Sequence, residues 1–503
     1  MGDLTNGLST LSRLIGAAWS LTRADALAPR EISHLLPTWA RALANVSRLL
    51  AGREARLGRP GERLARVLER QGPVAIKLGQ FLSTRADTFG VEFAEDLGRL
   101  KDRLPPFPRA LATAEVERAL GRPLASLFSA FDEALGAASL AQVHAATLVD
   151  GRRVAVKVLR PGIEARVAAD IAALTVAADI VHAVAHAARR LEPRAFAATV
   201  ARALRLELDL RFEAAGADEL REAMSRDLYM TAPAVVWDGV ARRVLTLEWV
   251  AGEALSGPGI LDLARPDRSR LAGDLIRAFL AQALDHGVFH ADLHEGNLFV
   301  DSAGKLVAVD FGIVGRLDPL ERRYLAEILW GFLNRDYARV AAVHFEAGYV
   351  SSGHDPAAFA QALRAVGEPI FGKAAGDVSM HRLLTQLFEI TALFEMRLRP
   401  ELVLLQKTMV TVEGVARRLD PDLDIWVAAE PVVRRWITRE LSPANRLREF
   451  ADQALSVLSH LARIGAPVGA PAAKAPSARF HGLSFLTGVV VAALAFLAAW
   501  LAR

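Results

Sequence analysis

Two short stretches of this chain carry the strongest chemical signal. Phe289-His290-Ala291-Asp292-Leu293-His294-Glu295-Gly296-Asn297 spells H-x-D-x-x-x-x-N, and Val309-Asp310-Phe311-Gly312 supplies D-F-G. In phosphoryl transfer of the kinase type, this pair builds a base and two metal ligands around a terminal phosphate. Asp292 stands where the base would be, and Asn297 and Asp310 where the metal ligands would be. The interval between the aspartates leaves room for a hairpin, Asn297 to Val300 and Leu306 to Val309, turned at Ser302-Ala303-Gly304. H-x-D alone is common; the ordered set is not.

Other residues could serve the same chemistry. Val154-Ala155-Val156-Lys157 reads as a strand whose lysine can meet the α- and β-phosphates of ATP. Upstream, Gly136-Ala137-Ala138-Ser139 stands where a Gly-rich loop would cover the nucleotide. Alanines restrict the close backbone approach that glycines allow, so the cover should be tighter or differently shaped. An Ala-rich helix start is the competing reading. A lysine in a cleft needs a carboxylate, and Glu207, Asp209 and Glu213 are the candidates. On one helix, Asp209 and Glu213 would share a face while Glu207 points elsewhere. One of them can pair with Lys157 and another with Lys77. Lys77 and Gln80 share a side of the helix that starts at Gly72-Pro73, together with Phe81 and Ser83. The plainer readings are a solvated acidic face and a surface lysine.

The elements that must position these residues follow from periodicity. Residues 1 to about 70 read as a helical arm, with Leu11, Leu14, Ile15 and Trp19 at helical spacing. Residues 71–125 form a helical extension bearing K-x-G-Q, broken at Leu104-Pro105-Pro106-Phe107-Pro108. Residues 126–251 form a lobe with a small antiparallel sheet and inserted helices. Ala141 to Val149 and Arg152 to Leu159 are strands turned at Asp150-Gly151, with Val154, Val156 and Val158 on one side. One helix holds Ile171, Leu174, Ile180 and Val184, and a second holds Leu204, Leu208 and Phe212. Val235-Val236-Trp237 and Val244 to Val250 suggest another hairpin, turned at Asp238-Gly239. Residues 252–450 read as a helical lobe around the catalytic hairpin. Residues 451–480 include an Ala/Pro/Gly-rich linker, and 481–503 a membrane anchor.

Composition narrows the function classes. The chain has 503 residues, 52% of them hydrophobic, and a net charge of +4 in which arginine far outnumbers lysine. That balance does not point to nucleic acid but suits a face turned to anionic lipid. The absence of cysteine excludes disulfides, thiolate zinc sites and cysteine nucleophiles. The N-terminal stretch lacks the pattern of a signal peptide. Leu483 to Ala502 carries no charged side chain, a length that fits one bilayer crossing; a buried terminal helix is the competing reading. Lys474 and Arg479 precede it, which puts the body on the cytoplasmic side.

Together the residues resemble the UbiB (ADCK) family of atypical protein-kinase-like proteins involved in ubiquinone biosynthesis. The marks are Lys77-Leu78-Gly79-Gln80 within the stretch from Gly72 to Arg85, the Ala-rich loop ending at Ser139, Gln142-Val143-His144, Glu207-x-Asp209, and His290-Ala291-Asp292 with Asn297. They span roughly Gly72 to Leu333. The resemblance implies an α+β, bilobal protein-kinase-like fold, mainly helical, with an N-terminal helical extension and a C-terminal transmembrane helix. It implies that the K-x-G-Q helix folds over the nucleotide and obstructs peptide substrates. Lys157 would contact phosphates and pair with Glu207. Lys77, Gln80 and Asp209 would line the covered side. Asn297 and Asp310 would bind Mg2+, Asp292 would be the base or orient water, and Glu248 to Val250 would meet the adenine of ATP. Two departures stand out. The Ala-rich loop opens with Gly136, and the catalytic loop has Leu293 and Glu295 where many members have proline.

The implied function is a membrane-anchored ATPase at the bacterial inner membrane that handles polyprenyl-phenol intermediates of ubiquinone. Membrane lipids and other ubiquinone-biosynthesis proteins are the implied partners; nucleic acid is not, and a homodimer stays open. The alternatives are phosphotransfer to a small molecule or protein, and a non-catalytic nucleotide-binding scaffold.

Overall fold

The computed structural model describes residues 2–26, 41–42, 45–46, 48–52, 55, 58–83, 90–98, 100, 105–184, 192–227, 229–369, 390, 393–396 and 400–440. The chain divides into a body, Met1–Arg439, and a second unit, Glu440–Arg503. The expected linker and membrane anchor, like Thr84 and Arg85, lie outside the described residues. Among the described residues no helix is long and apolar enough to cross a membrane.

The body begins with helices α1 (Gly2–Arg23), α2 (Pro60–Gln71), α3 (Pro73–Ser83) and α4 (Val91–Gly98). Pro60 opens α2 where its missing N–H costs nothing, and Glu62 accepts from the Arg59 N–H at 3.0 Å. Leu64, Val67 and Leu68 of α2 bury against Phe93, Leu97 and Leu100. Gly79 brings α3 close to this cluster. A Cβ there would stand 2.2 Å from the Leu100 side chain and 2.8 Å from that of Leu68. The glycine of K-x-G-Q is thus a packing contact that sets how near the helix approaches.

After α5 (Arg109–Leu120) come β1 (Phe128–Ala137), β2 (Ala141–Leu148), β3 (Arg153–Leu159), β4 (Met230–Thr231) and β5 (Val244–Glu248). Strands β1-β2-β3-β5 form one antiparallel sheet in that order. The turn at Asp150-Gly151 is as expected: Gly151 takes φ +90°, and Asp150 accepts from the Arg152 N–H. Val154, Val156 and Val158 are fully buried and pack with Ala112 and Val116 of α5. That leaves Lys157 on the other face.

Three local expectations change. Gly136 and Ala137 are not loop residues: they end β1, paired with Val143 and Gln142, and only the residues after them turn. The second hairpin is one strand plus a bridge, Val235 to Leu247, because Trp237–Gly239 winds into a single 3-10 turn. Thr246 locks that turn by donating to the Gly239 carbonyl at 2.9 Å. The third change bears on the site. The single helix expected through Leu204, Leu208 and Phe212 is two. After α6 (Ile163–Val184), α7 (Pro193–Glu207) stops and α8 (Leu210–Met224) starts afresh. Asp209 takes an extended conformation and caps α8, accepting from the Arg211 N–H.

The remaining lobe is mainly helical. Strand β6 (Gly252–Ala254) leads into α9 (Arg265–Ala281), a π turn over Gln282–His286, β7 (Val288–His290), β8 (Leu298–Asp301), β9 (Leu306–Ala308) and β10 (Val314–Arg316). The β8–β9 hairpin is as expected, with Gly304 at φ +76° and Asp301 accepting from the Ala303 and Lys305 N–H groups. Strand β6 pairs with β8 and β4 with β9, while β10 pairs with β7. Helices α10 (Pro319–Leu333), α11 (Tyr337–Glu346), α12 (Pro356–Gly367), α13 (Pro400–Leu419) and α14 (Ile425–Glu440) follow. Phe279, Phe289, Leu293, Leu298 and Phe311 centre the main core, which α13 and α14 complete with Val412, Ala416 and Val432. The kinase-like architecture with a small sheet and a helical majority is as expected.

Candidate nucleotide site

The candidate base and metal-ligand residues are tied together by nearby backbone groups. The His290 ring is fully buried, with Nε2 3.1 Å from the Val309 carbonyl and Nδ1 3.1 Å from the Asp292 N–H. One ring nitrogen donates and the other accepts, which fixes a neutral Nε2–H tautomer. Burial lowers the pKa of this imidazole and agrees with that state. His290 thereby ties the residue before D-F-G to the residue that opens the catalytic loop. Asn297 Nδ2 donates to the Asp292 carbonyl at 3.0 Å, which leaves Asn297 Oδ1 as the end able to ligate a cation. Asp310 sits at φ +63°, in the left-handed region that few non-glycine residues adopt.

Lys157 is the junction. Its Nζ lies 2.7 Å from Glu213 Oε1 and 3.1 Å from Asp310 Oδ1. Burial opposes its charge, but Asp310 and Glu213 outweigh that and hold the ammonium above the ordinary lysine value. Lys157 is the largest influence on Asp310 and keeps it well below the usual carboxylate range. The Asp310 side chain is half exposed, so its charge faces the cleft. Burial is the largest influence on Glu213 and pushes it up to about 7 against the pull of Lys157. Gly216, one turn beyond Glu213, lets α8 press on the D-F-G segment. A Cβ there would meet Val314 Cγ2 at 2.9 Å.

The partner of Lys157 is therefore Glu213, not Glu207. The break at Leu208-Asp209 puts the two glutamates on separate helices. Glu207 instead pairs with Lys77 at 2.6 Å, both side chains mostly buried. Asp209 does not share a face with Glu213. Its carboxylate is taken by Arg211, at 2.9 Å from Nε and 2.6 Å from Nη2, which lowers its pKa. Gln80 is partly buried on α3, on the helix that carries Lys77.

The Ala-rich segment before Ser139 is anchored by Arg160. Arg160 donates to the Ala138 carbonyl at 3.0 Å and to the Pro105 carbonyl at 2.9 Å, and its guanidinium lies over the Phe107 ring. Ser139 is buried, and Gly136 has open space where a Cβ would be. Gln142 and His144 are fully buried. The Gln142 amide accepts from the Phe107 N–H at 2.8 Å and donates to the Phe107 carbonyl at 3.1 Å. Its Nε2 also lies 2.8 Å from His144 Nε2, and His144 Nδ1 lies 2.9 Å from the Asp132 carbonyl. Burial lowers the His144 pKa, so this strand pair is a neutral, satisfied network that staples the segment before α5 to β2. Sequence reasoning missed Arg160, though two polar residues on an apolar strand were a signal for the Gln142–His144 network. Glu248 to Val250 connects β5 to β6. The Glu248 N–H donates to the Ala234 carbonyl and the Trp249 N–H to the Arg153 carbonyl.

This geometry forms a candidate nucleotide site of protein-kinase-like layout, to which α3 is joined by the Lys77–Glu207 pair. Residues 99–344 match the ABC1 atypical kinase-like domain, and residues 363–424 match the UbiB helical domain. The chain is 39% identical over 438 residues to a "Probable protein kinase UbiB" of Pseudomonas paraeruginosa, covering 85% of this chain and 82% of that one. It is 41% identical over 414 residues to a protein of the same name from Xanthomonas oryzae pv. oryzae, covering 80% and 74%. The chain belongs to the UbiB family of ABC1 atypical kinase-like proteins. Its fold is similar to that of Rv3197 from Mycobacterium tuberculosis, solved in complex with erythromycin. The TM-score is 0.52 at 24% identity, over 73% of this chain and 93% of that one.

Proposed function

We propose that this protein is an ATPase of the UbiB type that supports ubiquinone biosynthesis at the membrane. The observation that carries the reading is Lys157 Nζ set between Glu213 and an ionised, half-exposed Asp310. A lysine so placed can meet phosphate oxygens while Glu213 keeps its hold on the ammonium. Asp310 and the Asn297 amide oxygen are hard donors that fit Mg2+, which takes few protein ligands beside phosphates. Bound there, Mg2+ would neutralise the charge that builds on the phosphates. Asp292 would orient a water and accept its proton. The water oxygen would bond to the terminal phosphorus as the bridging bond to ADP breaks. Lys77 on α3, fixed by Glu207, favours a covered site and water as acceptor over a peptide hydroxyl. Membership of the UbiB family supports the link to ubiquinone. The apolar Leu483–Ala502 segment supports anchoring, and with it access to polyprenyl-phenol lipids.

The test uses the full chain in anionic vesicles with a phenol headgroup mimic. ATP hydrolysis is expected to rise with the vesicles and to fall by about 10³-fold in Asp310→Asn. If Asp310→Asn restores ubiquinone in a deletion strain, the site acts as a scaffold and the ATPase reading is wrong. A phosphorylated lipid or protein product would move the reading to phosphotransfer.

A further inference from the structure

The peptide group before Asp292 is held at both ends. Its N–H donates to His290 Nδ1 at 3.1 Å, and its carbonyl, that of Ala291, accepts from Thr408 Oγ1 at 3.1 Å. Thr408 is 1% exposed and lies on α13, far along the chain in the region matched by the helical domain. Its single hydroxyl hydrogen is shared between the Ala291 carbonyl and that of Leu404, the usual partner of a helical threonine, at 2.8 Å. The same helix holds the loop a second time, where Arg418 pairs with Glu295. Between the two grips, Leu293 is fully buried in the core that Leu405, Val412 and Leu419 of α13 line.

The loop between the two grips is turned, with the His294 N–H donating to the Asp292 carbonyl at 3.0 Å and the Asn297 N–H to the His294 carbonyl at 2.9 Å. Helix α13 therefore meets the loop at its start, through Thr408, and near its end, through Arg418. The loop His290–Asn297 contains no proline that would stiffen it from within by fixing φ. It is fixed from outside, by burial at Leu293 and an ion pair at Glu295.

We propose that α13 is a brace that positions Asp292, and that Thr408 is its central positioning residue. The brace rests on the reading of Asp292 as the group that orients water, since its purpose is to hold that carboxylate in line.

Thr408→Val removes the hydroxyl at nearly constant shape, and Thr408→Ser keeps it. In the full chain, Thr408→Val is expected to lower kcat for ATP hydrolysis about tenfold, with KM for ATP unchanged within about twofold. Thr408→Ser should restore most of the rate. Hydrogen exchange in the peptide covering Phe289–Asn297 should quicken in the valine variant and not in the serine variant, with α3 and β3 unaffected. Arg418→Ala should loosen the same peptide to a smaller degree. Unchanged exchange in Thr408→Val, equal rate losses in both variants, or a rise in KM at constant kcat would each overturn the brace. The exchange readout needs no turnover. If the wild-type chain hydrolyses no ATP yet Thr408→Val still loosens the loop, the ATPase reading fails and the brace stands.

Discussion

In the half of the candidate site proposed to supply base and metal ligands, Asp292, Asn297 and Asp310 come from one short stretch of chain. His290, Asn297 and the β8–β9 hairpin hold them through bonds to neighbouring backbone. In the half proposed to cover the nucleotide, Lys77, Lys157, Glu207 and Glu213 come from one strand and three helices, and ion pairs between distant residues join them. The first half is held mainly by local backbone bonds, with α13 bracing it at Ala291 and Glu295. The second depends on charges meeting across packed helices, so it can be opened by separating two side chains.

The largest effect that sharpens this contrast should come from Glu213→Gln. The amide keeps the shape but removes the charge that holds Lys157. We expect ATP turnover to fall about 100-fold, because a misplaced lysine no longer meets the phosphates. The hairpin and catalytic loop should keep their hydrogen-exchange protection. If loop protection falls together with turnover, the two halves are not separately built and the comparison breaks.

A smaller effect should come from the cover itself. Lys77→Ala, Glu207→Ala and the double variant form a cycle around the 2.6 Å pair. The coupling should be about 1–2 kcal/mol in nucleotide binding, since both side chains are mostly buried and in contact. That is about a tenfold change in affinity. Each single variant should resemble the double. Additive losses would mean that Lys77 and Glu207 act on the nucleotide independently and that the cover is not latched by this pair.

How legible each half was follows from the same distinction. The placement of Asp292, Asn297 and Asp310 together could be read from spacing because local backbone geometry links spacing to position. Strand β3 was legible because Val154, Val156 and Val158 alternate as a half-buried strand must. The pairing of the glutamates was not. It turned on one residue, Asp209, which can sit inside a helix or cap one. Periodicity through Leu204, Leu208 and Phe212 favoured an unbroken helix, and capping by Asp209 won. Thr408 was invisible for another reason: a buried threonine on an apolar helix gives no sign of which distant carbonyl it meets.

The smallest expected effect concerns a contact that joins the two halves at the surface. Arg316 on β10 meets Glu219 on α8 in a two-pronged pair, at 2.6 and 2.5 Å, with both side chains substantially exposed. The geometry is ideal, but water screens the charges and two long side chains lose freedom. Arg316→Ala should therefore cost only about 0.2–1 kcal/mol of stability. The loss should shrink as ionic strength rises, because exposed pairs lie within reach of screening ions. A urea titration at low and high salt measures both. Should the loss be several times larger and independent of salt, α8 is anchored to the D-F-G side by this pair rather than by Lys157 and the close approach at Gly216. The covering half would then be held from outside as well as through its buried charges, and Glu213→Gln should prove milder than expected.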